Sequence, residues 1–326
     1  MRPPIGERIV VVGSHAPAIM VYSDRIPTKG ETVMASSYAE PQDGGKGSLQ
    51  AIAAARLGGN VVFLGCVGRD RLGESGLEML STEGVDVSRV KQSAELPTGA
   101  GFVIIDHFGE PAILTAIGAN ALVNDSYIAK NQDRIREAKV LLTQLETNLS
   151  GVLSALLLAR SAKVISILNP APVPSDRRVM HRIVSKADIL TPNAIEAAEL
   201  VQSTVANVLS DPAAAATEIQ KRFCVESVVL TLGSSGAVVA SDGHILKLDG
   251  WSVPAVDATG AGDAFSGALA HGLSKGWKLA DAAEFANCVA AASVTLHGTV
   301  CSMPFARELK DIFSRLKISI SSPLIC

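Results

Sequence analysis

Short, almost entirely apolar runs recur along the sequence, and they constrain its fold more than any other feature. They occupy residues 9–12, 61–67, 140–145, 164–168, 187–190 and 227–232. Because apolar and polar residues do not alternate in them, these runs predict strands that are buried on both faces. Stretches of helical period lie between them, at 50–57, 74–82, 133–138 and 213–223. This alternation predicts βαβ units and hence a three-layer α/β/α domain with a mainly parallel central sheet.

Two segments interrupt the alternation. Residues 16–43 are rich in Pro, Gly, Ser and Thr, and residues 98–117 are typical of a β-hairpin that turns at His107–Pro111. We expect these segments to form a small β-sheet lid within a single domain that spans residues 1–326.

Charge and composition argue against several classes of partner. The 326 residues carry a formal net charge of −3 with acids and bases mixed, which leaves no basic patch for nucleic acid or an anionic membrane. The apolar runs are too short to span a bilayer, and the N-terminus enters a strand-like run without a signal-peptide core. The five scattered cysteines, without a C-x-x-C, are typical of reduced thiols. We therefore expect a cytoplasmic protein.

Residues 257–263 read D-A-T-G-A-G-D and precede a helix-like stretch. Gly260 and Gly262 allow close approach of the backbone, and the unpaired N–H groups of a first helical turn form an anion site together with the helix dipole. Asp263 has two interpretations. It is either a carboxylate that stabilises the helix N-terminus, or a general base that takes a proton from a hydroxyl attacking a bound phosphate.

A second glycine turn, D-G-G-K-G-S-L-Q-A at 43–51, places Lys46 before another helix-like stretch. It is not a Walker A loop, because Gly47 stands where Ser or Thr would follow the lysine. The chain also lacks G-x-G-x-x-G at its first strand-to-helix turn, which argues against a dinucleotide site. By itself this turn does not distinguish an ordinary tight turn from a functional loop.

The stretch T-P-N-A-I-E begins a helix. Thr191 is expected to cap it and Pro192 to be its first residue. Asn193 and Glu196 then share one helix face. They belong either to a well-capped surface helix or, beside phosphate chemistry, to the oxygen ligands around hydrated Mg²⁺.

The stretch T-L-G-S-S-G, at 231–236, is a strand end that enters a glycine turn. Such a turn is either a simple hairpin or the wall of an adenine or ribose site. The six histidines show no metal-ligand spacing, and no Ser/His/Asp set is evident.

The order of these motifs resembles the ribokinase family, also called the phosphofructokinase-B carbohydrate kinases, along nearly the whole chain. The matching stretches are V-V-G-S (11–14), G-E-T-V (30–33), G-G-K-G (44–47), G-C-V-G-R-D-R-L-G (65–73), L-T-Q-L-E (142–146), L-N-P-A-P (168–172), T-P-N (191–193), T-L-G-S (231–234) and D-A-T-G-A-G-D (257–263). The resemblance implies an ATP-dependent kinase that acts on a hydroxyl of a small sugar or sugar-like alcohol. It also implies a β-sheet lid that commonly forms a homodimer contact.

Carried over position by position, the resemblance implies that Asp263 is the catalytic base and that Gly260, Ala261 and Gly262 form the anion hole. Asn193 and Glu196 would serve the phosphates and Mg²⁺. The residues implied to line the nucleotide are Thr231, Gly233, Ser234, Gly236 and Asn287. Those implied to lie around the acceptor are Gly45, Lys46, Gly47, Leu49, Glu146, Ala16 and Ala18, besides Asp263. Ribokinases also hold a monovalent cation (K⁺) beside the anion hole, and its ligands match Asp257, Thr259, Ser293, Leu296, Gly298 and Ser302, several through backbone carbonyls.

The chain departs from the family pattern on the acceptor side. Ribokinases typically show G-S-x-N-x-D where residues 13–18 read G-S-H-A-P-A, so that Ala16 and Ala18 replace an Asn and an Asp. Leu49 replaces the Asn of G-G-K-G-A-N-Q. Each sugar hydroxyl left unpaired costs roughly 1–3 kcal/mol. We therefore expect an acceptor less hydroxylated, differently shaped or more apolar than D-ribose, with Asp43 and His15 as candidate replacement contacts.

Two alternatives stay open from the sequence. The first is an authentic D-ribokinase that tolerates these changes. The second, from a different class, is a catalytically silent ligand-binding protein that kept the fold.

Overall fold

The computed structural model describes residues 7–42, 44–108 and 111–316, and Asp43 lies outside them. The strands are β1 Arg8–Val12, β2 Ala18–Tyr22, β3 Ser37–Gln42, β4 Asn60–Leu64, β5 Cys66–Gly68, β6 Lys91–Ser93, β7 Ala100–Ile105, β8 Pro111–Ala116, β9 Val140–Thr143, β10 Ile165–Leu168, β11 Ile189–Leu190, β12 Ser227–Thr231, β13 Ala237–Ser241 and β14 His244–Leu248. The helices are α1 Lys46–Arg56, α2 Arg71–Thr82, α3 Asp125–Lys130, α4 Gln132–Arg136, α5 Leu149–Ala162, α6 Arg177–Val184, α7 Ala194–Val201, α8 Val205–Ser210, α9 Pro212–Phe223, α10 Ala261–Ser274, α11 Leu279–Ser293 and α12 Leu309–Arg315.

Eight strands form the central sheet, in the order β14-β13-β12-β11-β10-β9-β1-β4. The six from β12 to β4 are parallel, whereas β13 and β14 add an antiparallel edge. The apolar runs predicted as strands form the parallel part of the sheet. Helices cover both faces of a parallel sheet, so the side chains on both sides of each strand must be apolar.

Helices cover both faces of this sheet, which confirms the predicted three-layer architecture. In β1, Ile9 and Val11 pack with α1, α10 and α11, while Val10 and Val12 pack with α5 and its neighbours on the other face. The two cores therefore meet at a strand whose side chains point alternately into each.

A second sheet has four strands in the order β3-β2-β7-β8. All four lie within residues 16–43 and 98–117. β2 and β7 pair in parallel, and the outer pairs are antiparallel. Since β2 follows β1 after only a few residues, this sheet is tied directly to the end of a central strand.

Two local predictions are wrong. The run 61–67 is two strands, because the hydrogen-bond partner changes at Gly65: the Leu64 carbonyl accepts from Gly13 (3.1 Å), and the Gly65 carbonyl accepts from Lys91 (3.0 Å). Helix α7 begins at Ala194 with Asn193 as its N-cap, so Thr191 and Pro192 precede the helix. The Asn193 amide displaces Thr191 as the cap because its oxygen reaches the N–H groups of the first helical turn.

Across the residues described, no helix is both long and apolar enough to cross a membrane. The described cysteines, which are Cys66, Cys224, Cys288 and Cys301, are free thiols, and Cys326 lies outside the described residues.

Candidate active site

Polar side chains gather where the parallel strands of the central sheet end. Ser14 follows β1, Glu146 follows β9, Asn169 follows β10 and Asn193 follows β11. The carboxyl ends of parallel strands meet at one edge of a sheet, and ligands of open α/β sheets bind there. The glycine turns that precede α1 and α10 close over the same edge and complete the candidate site.

The turn before α10 is built to receive an anion. Its N-cap, Gly260, has φ +81°, a conformation that favours glycine. The N–H groups of Ala261 and Asp263 donate to the carbonyls of Ala258 (3.2 Å) and Gly260 (3.0 Å). Within the part of the chain that the structure describes, the Gly262 N–H has no acceptor, and a Cβ added at Gly262 would meet open space. This N–H and the helix dipole therefore face an accessible cavity.

Asp263 lies in the first turn of α10 and is only 7% exposed. Its Oδ1 accepts a hydrogen bond of 2.9 Å from the Gln50 side chain. Burial raises the pKa of Asp263 to about 6, although the charge of Lys46 and the Gln50 hydrogen bond both act to lower it. A carboxylate with a pKa near the working pH is suited to general base catalysis.

Lys46 begins α1 next to this carboxylate. The charge of Asp263 raises the pKa of Lys46 despite the opposing effect of burial, and the charges of Glu146 and Glu196 add to the increase. Glu146 also anchors the turn, because its Oε2 accepts from the Lys46 N–H (3.0 Å) and from the Ser14 hydroxyl (2.6 Å). Lys46 is therefore held charged by the carboxylates around it, and it lines the polar cavity.

The glycines of the turn before α1 have a steric role. Gly45 has φ +88°, and a Cβ there would lie 2.6 Å from the Ala16 nitrogen. A Cβ on Gly47 would lie 2.5 Å from the Ser14 nitrogen. The turn therefore lies directly against the segment that follows β1, which brings the acceptor-side residues predicted from sequence together.

Asn193 and Glu196 form a reciprocal capping box. The Asn193 Oδ1 accepts from the Glu196 N–H (2.9 Å), and Glu196 accepts from the Asn193 N–H and side-chain amide (2.9 Å each). Burial raises the pKa of Glu196, while the hydrogen bond from Asn193 and the charge of Lys46 act against that rise. The Glu196 Oε2 also accepts from the Asn169 side chain (3.5 Å), whereas Oε1 keeps a lone pair that fits the water shell of Mg²⁺.

A polar cavity of about 150 Å³ lies between these groups. Its walls are formed by Lys46, Asn169, Thr191, Asn193, Glu196, Thr231, Gly260, Gly262, Asp263 and Ser266. A larger cavity of about 300 Å³ adjoins it and shares Thr231 and Gly262. The smaller cavity is mainly polar and the larger one mainly apolar, so together they suit an anion beside a planar, mostly apolar ligand.

All five residues predicted to line the nucleotide, which are Thr231, Gly233, Ser234, Gly236 and Asn287, line the larger cavity. Asn287 also donates from its side chain to the Asp249 carbonyl (2.8 Å), which fixes the loop after β14. Trp251, Val253 and Phe265 supply apolar surface in the same cavity.

Asp257 lies on the other side of the anion turn. Burial works against ionisation of Asp257, but hydrogen bonds from the Thr259 N–H (2.9 Å) and the Gly298 N–H (3.0 Å) outweigh it and lower its pKa. The N–H of Asp257 also donates to the Val294 carbonyl at the C-terminal end of α11 (3.2 Å). A carboxylate at the negative end of a helix dipole suits a cation.

The other predicted cation ligands belong to the end of α11 and the loop that follows it. The hydroxyls of Ser293 and Ser302 donate to the carbonyls of Ala290 (2.8 Å) and Thr299 (2.9 Å). The Leu296 side chain is 51% exposed, so it would serve through its backbone alone. In the described part of the chain, no three His, Cys, Asp or Glu side chains come together as a metal site. Both serine hydroxyls are thus engaged within the end of α11 and the loop that follows it.

On the acceptor side, Ala16 and Leu49 are buried and Ala18 is half-buried at the start of β2. Leu49 packs in the core that α1 shares with α10. His15 is 1% exposed, and its ring packs against Gly76 of α2 with Nδ1 3.2 Å from the Ser48 hydroxyl. This packing removes His15 from the candidate acceptor contacts.

Sequence reasoning missed three side chains of the site, which are Gln50, Gln144 and Asn169. Gln50 follows Lys46 by one helical turn and thus shares its face of α1, a signal that was present in the sequence. Asn169 and Gln144 directly follow buried strands, where an amide needs a partner.

Comparison with known proteins finds relatives along nearly the whole chain. The sequence pattern of the pfkB family of carbohydrate kinases matches residues 7–306. A ribokinase of Schizosaccharomyces pombe is 35% identical over 321 residues, covering 95% of this chain and 98% of that protein. A deoxyribokinase of Salmonella typhi is 28% identical over 306 residues, covering 94% and 98%. The structure of an Arabidopsis thaliana ribokinase complexed with ribose and ATP superposes with a TM-score of 0.83 at 29% identity, covering 98% of this chain and all of that one.

Proposed function

Because the chain belongs to the pfkB family of carbohydrate kinases, and is therefore a phosphotransferase with an alcohol group as acceptor, we propose that it transfers the γ-phosphate of ATP to a hydroxyl of a small sugar or sugar-like alcohol. One observation carries the proposal. The buried carboxylate of Asp263 stands one residue from the free N–H of Gly262, where the two cavities meet.

The residues of the site divide the chemistry between them. Asp263 takes the proton of the acceptor hydroxyl as that oxygen bonds to the γ-phosphorus and the bond from the γ-phosphorus to the bridging oxygen breaks, which releases ADP. The Gly262 N–H and the Lys46 ammonium stabilise the charge on the transferring phosphoryl group, which needs positioning and electrostatic help more than covalent catalysis. The raised pKa of Asp263 makes its carboxylate a stronger base than an exposed aspartate.

We assign the nucleotide base and ribose to the larger, mostly apolar cavity, with the phosphates directed toward Gly262. The similar Arabidopsis ribokinase was solved as a complex with ribose and ATP, which supports ATP as the phosphoryl donor. Asn193 and Glu196 would hold a Mg²⁺ through its waters. When bound, Mg²⁺ neutralises charge on the nucleotide phosphates.

The segment from Asp257 to Ser302 would hold a monovalent cation such as K⁺ beside the anion turn. A comparison of melting temperatures in KCl and in LiCl at equal ionic strength tests this assignment without reference to turnover. We expect the higher melting temperature in KCl, and expect Asp257→Asn to abolish the difference. Equal values in the two salts for the unmodified protein would contradict it.

The acceptor we propose is not plain D-ribose. Ala16 and Ala18 offer no hydrogen bonds, and Leu49 packs in the core where the family pattern has an Asn. Each acceptor hydroxyl left unpaired costs roughly 1–3 kcal/mol. The similarity to a deoxyribokinase supports an acceptor with fewer hydroxyls. The similarity to ribokinases favours the second candidate, an authentic D-ribokinase.

The decisive experiment follows ADP release with ATP and a panel of deoxy sugars, pentoses, hexoses, polyols and nucleosides. We expect a deoxy or partly apolar acceptor to give the highest kcat/KM. The variant Ala16→Asn/Ala18→Asp/Leu49→Asn, which restores the ribokinase pattern, should then gain activity toward D-ribose.

Three results would contradict parts of the proposal. A low KM for D-ribose in the unmodified protein would establish the second candidate. ATP binding without turnover on any acceptor would identify a silent binding protein. Full activity of Asp263→Asn would remove Asp263 as the base.

A further inference from the structure

Gln50 is the centre of a cluster of buried polar side chains that comes from four separate elements. It lies on α1 and is fully buried. Its Nε2 donates to the Asp263 carboxylate (2.9 Å) and to the Asn169 Oδ1 (3.2 Å), and its Oε1 accepts from the Gln144 Nε2 (2.6 Å). All the hydrogen-bonding groups of the Gln50 amide are thus in use, and one partner is the proposed base.

The partners leave the Gln50 amide a single orientation. A carboxylate only accepts, so the nitrogen of Gln50 must face Asp263. The Asn169 Nδ2 donates to the Thr191 carbonyl (3.1 Å), which turns its oxygen toward the Gln50 nitrogen. The Gln144 Nε2 donates to the Gln50 oxygen, while the Gln144 Oε1 has no hydrogen-bond partner among the described residues. Reversing Gln50 would set acceptor against acceptor at both Asp263 and Asn169, each in a buried setting.

We propose that Gln50 is a positioning residue for the phosphoryl-transfer base: by donating to Oδ1 of Asp263 it directs Oδ2 toward the acceptor hydroxyl, and Gln144 and Asn169 hold Gln50 in place. The inference rests on the proposed role of Asp263. In the described part of the chain no hydrogen bond reaches Oδ2, so that oxygen is the one left to take a proton.

This role predicts a specific kinetic effect. A hydrogen bond donated to a carboxylate favours its charged form. Burial and the charge of Glu146 raise the pKa of Asp263, whereas the charge of Lys46 and the Gln50 hydrogen bond lower it. Without Gln50, Asp263 stays protonated to a higher pH and its carboxylate is free to rotate. A purely structural role, in which Gln50 only ties α1 to the sheet, predicts lower stability without a change in the pH dependence.

The test compares three variants. Gln50→Met keeps the length of the side chain and removes the donor. Gln144→Met leaves that donor but releases the amide that orients it. Asn131→Leu removes another buried amide, which donates to the Tyr127 carbonyl (2.9 Å) far from the site, and serves as the matched control.

For Gln50→Met we expect kcat to fall at least about tenfold, in line with loss of a hydrogen bond to a charged group. The KM for ATP should change little, and the acidic limb of kcat/KM should move up by about one pH unit. Gln144→Met should shift the limb in the same direction by less, and Asn131→Leu should not shift it. An unshifted limb in Gln50→Met would overturn the inference.

A second readout does not depend on turnover. With ¹³C-labelled aspartate, the carboxyl signal of Asp263, assigned by its absence in Asp263→Asn, can be titrated in the unmodified protein and in Gln50→Met. A higher pKa in Gln50→Met supports the positioning role, and an equal pKa contradicts it. If no acceptor on the panel is phosphorylated, the proposed function fails, and this titration still decides whether Gln50 controls Asp263.

Discussion

At the scale of single residues, Asp263 shows that function and stability have opposite requirements. Its pKa is about 6 in the folded protein against an ordinary 3.8, so the folded state binds the proton more tightly than the unfolded chain does. The contribution of Asp263 to stability is therefore greatest below about pH 4 and is lost as pH rises through about 6. At neutral pH the buried charge of Asp263 destabilises the folded state. The same carboxylate is the group that the proposed reaction needs as its base.

We predict that Asp263→Asn is inactive and more stable at the same time. The amide resembles the neutral carboxyl, so at pH 8 the variant should unfold at higher urea, with a gain of about 1–3 kcal/mol. The gain should shrink as pH falls toward 4. Activity should drop by about 10²–10⁴. Urea unfolding at pH 8, 6 and 4 measures the stability, and a variant less stable than the unmodified protein at pH 8 would contradict the argument.

A related prediction concerns the pH dependence of catalysis. If Asp263 is the base, kcat/KM for the acceptor should fall tenfold per pH unit below about pH 6, where the carboxylate is protonated. The measurement is a pH profile with the best acceptor of the panel. A profile that stays flat down to pH 5 would assign the base to another group.

Substitution by alanine should have opposite effects on the stability of the protein at Gly260 and at Gly262. Gly260 has φ +81°, so Gly260→Ala should destabilise the protein by about 1–2 kcal/mol through backbone strain. Gly262 is helical, and its added Cβ meets open space. Gly262→Ala should therefore fold as well as the unmodified protein or better.

The methyl group of Gly262→Ala projects into the space between the two cavities, so the KM for ATP should rise without any loss of stability. Thermal unfolding and ATP titration of the two variants test the contrast. Unchanged ATP affinity in Gly262→Ala would show that phosphate does not approach this turn.

At the scale of elements, the sequence predicts the bounds of a strand or helix where these depend on that element's own residues. Fully buried strands need continuous apolar runs, so β1, β9, β10 and β12 were predicted close to their observed bounds. A helix was predicted to follow the glycine turn, and α10 begins three residues earlier than that, at Ala261 within the turn. The strand break at Gly65 was not predictable, because it depends on partners far along the chain.

In the candidate site, too, local motifs were predicted and long-range contacts were not. The two turns that carry Lys46 and Asp263 were predicted because each is a local glycine motif. The bond from Gln50 to Asp263 joins residues 213 positions apart, and no local pattern encodes it. Likewise, the burial of His15 against α2 depends on the packing of two helices, which is why its side chain was assigned to the acceptor side from sequence alone.

Arg56 ties the first helix to the loop beside the anion turn. Its guanidinium donates to both carboxylate oxygens of Glu83 (2.6 and 2.7 Å), and its Nη1 donates to the carbonyls of Val300 and Met303 (2.6 Å each). The Met303 and Thr299 side chains lie within 4 Å of where a Cβ on Gly260 would be. The Arg56 contacts therefore link α1 to the loop that holds Val300 and Met303, and this loop packs against the anion turn.

We predict that Arg56→Met destabilises the protein by about 3–5 kcal/mol, since it leaves Glu83 largely buried without its partner. Amide exchange should accelerate across residues 298–305. The control is Lys275→Met, which breaks a partly exposed pair with Glu7 and should cost less than about 1 kcal/mol. Equal losses of unfolding free energy in the two variants would show that the Arg56 contacts stabilise the protein no more than a partly exposed ion pair does.

At the scale of the whole molecule, the four-stranded sheet exposes large apolar side chains on one face. Phe102 and Leu114 are paired neighbours on β7 and β8, and Tyr38 on β3 lies on the same face. These side chains are 42%, 71% and 71% exposed. A contiguous exposed apolar patch of this kind marks an interaction surface. It supports the homodimer that the family resemblance implies, with the lid as the contact.

We predict that Leu114→Glu converts a dimer into a monomer, because an ionised carboxylate would be buried without a partner in the contact. Light scattering coupled to size exclusion measures the mass. Leu157→Glu, at a site 47% exposed on α5, is the matched control and should stay dimeric.

Since β2 begins two residues after Ala16, a lid without its partner should hold the acceptor less firmly. The monomer should therefore show a raised KM for the acceptor and an unchanged KM for ATP. A Leu114→Glu protein that keeps the dimer mass would show that the contact lies elsewhere, and a monomeric unmodified protein would exclude the dimer.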